Sequence, residues 1–127
     1  MSNRAIISTP DAPQAIGPYS QATKVGNTVW LSGQIPLVPE TMEVVEGDIS
    51  AQATQVFNNL KAVAQAAGGS LNDAVKINIS LTDLADFNAV NKVMAAFLEA
   101  PYPARACVQV AGLPKGVAIE VEAILSL

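Results

Sequence analysis

Two short stretches near the C-terminal end of this chain hold the side chains best suited to chemistry, Ala104-Arg105-Ala106-Cys107 and Ile119-Glu120-Val121-Glu122. In extended backbone successive side chains alternate between faces, so Arg105 and Cys107 share one side of their strand and Glu120 and Glu122 share one side of theirs. If the connecting loop closes symmetrically, antiparallel pairing sets Cys107 opposite Glu120 and Arg105 opposite Glu122. A cation, a thiol and two carboxylates then meet on one patch. The planar guanidinium of Arg105 suits a two-pronged grip on a carboxylate, and a partly desolvated Glu120 suits orienting or activating a water. Plainer readings stand beside these: a cross-strand ion pair between Arg105 and Glu122, a small packing residue at Cys107, and a surface carboxylate at Glu120. Tyr19, in the rigid turn Gly17-Pro18-Tyr19, is either a core tyrosine or a pocket wall. Ser32-Gly33 inside a strand suggests a bulge or a close backbone approach. Asn91, on a helix, is simply solvated in the plain reading.

What the chain lacks narrows the chemistry. With no histidine among its 127 residues, it cannot build a Ser-His-Asp or Cys-His nucleophile system, or the histidine-containing sites of catalytic zinc and non-haem iron. The single cysteine, Cys107, rules out an internal disulfide and a multi-cysteine zinc site. No metal and no cofactor is expected. The net charge of -4, with seven Lys and Arg scattered singly, gives no footprint for nucleic acid. No run approaches the roughly 18 to 20 apolar residues of a membrane span, and MSNRAIISTPDAP lacks the apolar region of a signal peptide. The expectation is a soluble, cytoplasmic protein. Charged residues make up 14% of the chain, against about 25% in an average domain, which hints at oligomerisation or a mildly hydrophobic surface.

The elements that must position these residues read as βββαβαββ in a single domain spanning 1–127. Arg4 to Ser8 is a short strand, followed by a Pro-punctuated loop. Ser20 to Val25 and Thr28 to Ile35 flank Gly26-Asn27, a tight-hairpin signal. After the loop from Pro36 to Gly47, the spacing of Ile49, Ala53, Val56, Phe57, Leu60, Val63, Ala64 and Ala67 predicts an amphipathic helix, with Asp48 as N-cap and Gly68-Gly69 as its stop. Val75 to Thr82 alternates as a half-buried strand. A second helix runs from Asp83 or Asp86 to Leu98, and Ala104 to Val110 and Val117 to Leu125 are strands.

Two helices cover one face of a mixed six-stranded sheet, an α+β arrangement. The covered face should hold Val75, Ile77, Ile79, Ala106, Val108, Val110, Val117, Ile119 and Val121. The other should show Trp30, Ser32, Asn78, Arg105, Cys107, Gln109, Glu120 and Glu122. That second set is too varied for a core and too apolar for a solvated surface, and it suits a subunit interface containing pockets.

Five blocks occur in order: AIGPYSQA, WLSGQIPLVP, QATQVFNNLKAVAQAAGGSLNDAVK, DFNAVN and YPARACVQVAGLPKGVAIEVEAI. Together they resemble the Rid (YjgF-type) family, closest to its RidA-type reactive intermediate deaminases, from about residue 5 to the end. The resemblance implies a chorismate-mutase-like fold and a homotrimer around a central barrel, with active sites in clefts between subunits. It also implies hydrolysis of 2-imino acids such as 2-iminopropanoate and 2-iminobutanoate to 2-keto acids and ammonia. Carried onto this chain, Arg105 holds the substrate carboxylate and Glu120 positions and activates water. Tyr19, Ser32, Gly33 and the backbone of Cys107 line the site, and Asn91 belongs to its shell. The chain departs from the family pattern at Gly112 and Gly116, which bears on substrate preference. Thr41-Met42 stands where Thr-Gly is common, a change expected to affect only a loop. A ligand-binding regulatory module using the same clefts for small carboxylates without turnover is the competing reading. RNA cleavage is a third reading, disfavoured by the acidic balance.

Overall fold

The apolar stripe of the middle region forms α1 (Ile49–Ala66) in the computed structural model, which describes residues 4–127. The first three residues of the stretch read for a signal peptide lie outside the described residues. Asp48 caps the helix, its carboxylate accepting from the Ala51 N–H at 3.0 Å. The bond satisfies one of the free first-turn amides. Gly68 ends the helix at φ +93, a left-handed conformation that costs glycine no Cβ clash. A short 3₁₀ turn at Leu84–Asp86, capped by Asp83, leads into α2 (Phe87–Phe97). The two helices meet where the Phe57 and Phe97 rings stack, their centroids 5.6 Å apart. No helix among the described residues is long and apolar enough to cross a membrane.

The strands are β1 (Ala5–Ile7), β2 (Ala22–Val25), β3 (Thr28–Gln34), β4 (Ala74–Leu81), β5 (Ala104–Gln109) and β6 (Ile119–Ser126). They form one six-stranded sheet in the order β1-β2-β3-β6-β4-β5. The α+β architecture and element order match the reading of the sequence. Inward residues of β3, β4 and β6, among them Leu31, Ile77, Ile79, Val121 and Leu125, join the buried stripe of α1 and Val90 and Met94 of α2 in one core. The opposite face carries Trp30, Ser32, Asn78 and Glu122, with Trp30 exposed.

The position of β5 differs from expectation. It pairs with β4, in parallel, while β6 lies on the far side of β4. The α2 crossover between β4 and β5 is what makes a parallel pair possible, and the chain then passes over β4 to add β6 antiparallel. The hairpin placing Arg105 opposite Glu122 and Cys107 opposite Glu120 therefore does not form. Facing changes as well. Arg105 stands beside Ile77, Cys107 beside Ile79 and Gln109 beside Leu81, so these three point to the helix side. Ala106 and Val108 share the open face with Asn78 and Ser80, and both are exposed. Val75 is a second exception, because Ala74 and Lys76 take successive partners Leu125 and Ile124 and leave it as the extra, exposed residue of a bulge.

Two buried amides tie loops to this frame. Gln21 accepts from the Thr9 N–H at 2.7 Å and donates to the carbonyls of Thr9 and Pro13, pinning the Pro-punctuated loop. Asn59 donates to the Leu37 carbonyl at 2.9 Å and accepts from Gln55, fixing the chain after β3.

Candidate functional site

Arg105 lies on an edge strand beneath α2. Phe87, Asn91 and Met94, spaced as i, i+4 and i+7, sit on one face of that helix, and all three reach it. The Arg105 Nη1 donates to Asn91 Oδ1 and lies 4.0 Å from Met94 Sδ, while its Cζ is 4.9 Å from the centre of the Phe87 ring. A guanidinium over an aromatic face gains about 0.5–1 kcal/mol at an exposed site. Among the described residues no carboxylate pairs with Arg105. The ion pair with Glu122 is absent, and Glu122 instead accepts from Asn78 Nδ2 at 3.1 Å on the other face. Arg105 thus presents an uncompensated positive charge to a cleft of about 550 Å³ lined also by Asn91, Met94, Ala95, Tyr102 and Pro103.

Cys107, two residues on, is half-buried against the core. Burial pushes its thiol above the ordinary value, and the charge of Arg105 offsets part of that rise. A thiol so held is protonated at neutral pH and poorly suited to act as a nucleophile.

Glu120 belongs to a second assembly. It stands beside Ser80 on the face away from the helices, its side chain lying over Gly33. A Cβ at residue 33 would sit 3.0 Å from the Glu120 Cδ and 3.1 Å from its Oε1, so a larger residue there would displace the carboxylate from its present position. The β3–β6 register slips between Leu31 and Gln34, which makes Ser32-Gly33 both a bulge and a close approach, the two possibilities read from sequence. Desolvation, and secondarily the charge of Glu122, raises the Glu120 pKa above the ordinary carboxylate value. Such a group holds its proton to higher pH than an ordinary carboxylate, which favours proton exchange with a bound water.

Tyr19 and Gly33 share a cleft of about 280 Å³ walled mainly by Ile16, Ile35, Leu37 and Met42, with Lys115 also lining it. The Tyr19 ring is half exposed, and its hydroxyl accepts from the Ile16 N–H at 3.4 Å. Ser32 commits its hydroxyl to the Ser20 carbonyl at 2.5 Å and lines a different, open-face hollow with Trp30, Asn78 and Glu122. Within one chain, then, Arg105, Asn91 and Cys107 come together under α2, Glu120 with Gly33 on the opposite face, and Tyr19 beside Gly33. The single patch read from strand alternation is two separate clusters on opposite faces of the sheet. The contacts of Phe87 and Met94 with Arg105 were not foreseen, although Asn91 falls between them at helical spacing.

This division of residues sits within a chain whose relatives are well defined. Residues 9–126 match the family model described as Endoribonuclease L-PSP. A relative from Dermatophagoides farinae, named 2-iminobutanoate/2-iminopropanoate deaminase, is 53% identical over 125 residues, covering 98% of each chain. The Homo sapiens protein of the same name is 44% identical over 121 residues, covering 95% of this chain and 88% of that one. The crystal structure of RidA from the Antarctic bacterium Psychrobacter sp. PAMC 21119 superposes with a TM-score of 0.94 at 61% identity, covering 97% of this chain and 99% of that one. With a family model spanning nearly its whole length and relatives at this identity, the chain belongs to the Rid (YjgF-type) family.

Proposed function

We propose that the protein hydrolyses 2-imino acids and their enamine tautomers, 2-iminopropanoate and 2-iminobutanoate among them, to 2-keto acids and ammonia. The observation that carries this reading is Arg105, a guanidinium held from behind by Asn91, Phe87 and Met94 and left without a carboxylate partner among the described residues, at the floor of an open cleft. That is a receptor for a small carboxylate. The relatives named as deaminases support the same reaction.

The chemistry needs little more than placement. A 2-imino acid protonated on nitrogen is electrophilic at C2. Water adds there, the C–N bond breaks, and the nitrogen leaves as ammonia while the oxygen of water becomes the keto oxygen. Glu120, with its raised pKa, accepts a proton from the attacking water and returns it to the departing nitrogen. Arg105 holds the carboxylate so that the addition occurs at a fixed distance and angle. No side-chain nucleophile, metal or cofactor enters the scheme.

One chain holds its Arg105 and Glu120 on opposite faces of the sheet, so the complete site requires a second copy. A homotrimer whose sheets wrap a central barrel, with Arg105 of one subunit facing the partner's Glu120, Gly33 and Tyr19, meets that need. It would also cover the exposed Trp30 and Val108 of the open face.

The test is release of ammonia and keto acid from 2-aminoacrylate generated in situ by a dehydratase. Wild-type protein should accelerate it. Removing a charge-assisted, two-pronged contact worth about 2–3 kcal/mol should cost Arg105→Ala roughly 30- to 150-fold in kcat/KM. No acceleration by wild type, or an Arg105→Ala variant of full activity, would overturn the proposal. Saturable binding of 2-ketobutyrate without turnover would favour the regulatory module instead.

A further inference from the structure

Met42 lies at φ +60, in the left-handed region where a side chain is disfavoured and glycine is at ease. Backbone hydrogen bonds of the surrounding loop hold it there. The Met42 N–H donates to the Val38 carbonyl at 2.7 Å, the Val38 N–H to Glu43, and Leu37 pairs with Val44 across the turn. Strain held at a residue that carries a side chain points to a reason for that side chain.

Its surroundings supply one. Met42 lines the 280 Å³ cleft that holds Tyr19 and Gly33, and it also lines a larger neighbouring cleft of about 660 Å³ bounded by Ile6, Thr9, Pro10 and Glu40. Only Gln14, Tyr19, Gln21 and Met42 line both, so these four side chains form the partition between the two spaces. Tyr19 is a proposed site residue, and Gln21 is locked by its bonds to the Pro-punctuated loop. Met42 is the unbranched, apolar member of the partition, a side chain that fills irregular space without polar partners.

The substrate has three parts to place. Its carboxylate goes to Arg105, and its C2 goes to the water held by Glu120 over Gly33. What remains is the side chain on C2, and the cleft that Gly33 lines is mainly apolar, with Ile16, Ile35, Leu37 and Met42 in its lining beside Gln14, Gln21 and Gln34. We propose that Met42 is a specificity-determining residue that closes the end of this apolar cleft and so restricts the protein to 2-imino acids with short aliphatic side chains. The assignment rests on the imine-hydrolysis reading above. It also gives the Thr41-Met42 departure a reach beyond the loop it was expected to affect.

The experiment compares kcat/KM for a short imine and a long one, each generated in situ by an amino-acid oxidase from 2-aminobutyrate and from leucine, in wild type, Met42→Gly, Met42→Ala and Met42→Leu. Removing the side chain joins the two clefts, and the long-to-short ratio should rise about tenfold in Met42→Gly and Met42→Ala, the scale of discrimination that one or two methylenes provide in an apolar pocket. Met42→Leu, of similar volume, should keep the wild-type ratio. The glycine variant also relieves the left-handed backbone, so it should fold at least as well as wild type. Wild type active on the short imine, with a ratio unchanged in both truncated variants, would overturn the role of Met42 alone. A wild type inactive on both imines would overturn the deaminase reading and this assignment with it.

Discussion

In the proposed reaction Glu120 exchanges a proton with water, and its surroundings favour that role. Desolvation beneath the bulged strand and the neighbouring charge of Glu122 both favour its neutral form. The catalytic rate should therefore fall on acidification, with a midpoint above the ordinary glutamate value of about 4.3. Stability should respond in the opposite sense. A carboxylate whose pKa is raised by folding contributes stability that is fully present below its unfolded pKa and is lost as pH rises through the folded value. Glu120→Gln should thus melt at a higher temperature than wild type at neutral pH, and the two melting temperatures should converge in acid. Thermal melts across that range check it, and a difference that does not shrink on acidification would show that Glu120 does not carry the effect. The same variant should lose turnover while keeping its affinity for 2-ketobutyrate.

At the level of elements, α1 is the platform on which the sheet rests. Removing the bond from Asp48 to the Ala51 N–H by Asp48→Ala should cost about 1 kcal/mol, lowering Tm by roughly 3–5 °C without changing kcat. This helix was legible in the sequence from cap to stop, because its apolar stripe, Asp48 and Gly68 each have a local physical reason. β4 was nearly as legible, apart from the bulge that turns Val75 outward. β5 was legible as a strand but not in its facing. Ala-Arg-Ala-Cys-Val-Gln alternates without a strong apolar side, and the stretch around Gly112 and Gly116 reads as a hairpin loop until the α2 crossover is considered. Arg105, Glu120 and Gly33 could be picked out by residue type and by the family blocks. Their separation could not, since it depends on β4 lying between β5 and β6. The buried amides Gln21 and Asn59 were missed for a related reason. Their partners lie in distant loops, and nothing local marks a glutamine or asparagine as buried.

Across the whole molecule, charge is sparse and its net sign is negative, with seven Lys and Arg scattered through the sequence. That argues for a small anion captured at one arginine rather than a polyanion spread over a surface. The sheet has two ends, and at one of them β5 pairs only with β4, which leaves its outer backbone edge without a strand partner among the described residues. The placement of Arg105 and Glu120 on opposite faces of that sheet has a consequence for mixtures of chains. If each site takes its arginine from one subunit and its glutamate from the next, Arg105→Ala and Glu120→Gln proteins, both strongly impaired alone, should recover activity when unfolded together and reassembled. Random association in equal amounts would restore about a quarter of the sites. Activity that stays at the level of the separate variants, in mixed assemblies confirmed by mass, would mean that each subunit works alone. Two alleles carrying these changes separately would otherwise complement one another, and a chain carrying both would disable each of the two sites it helps to form.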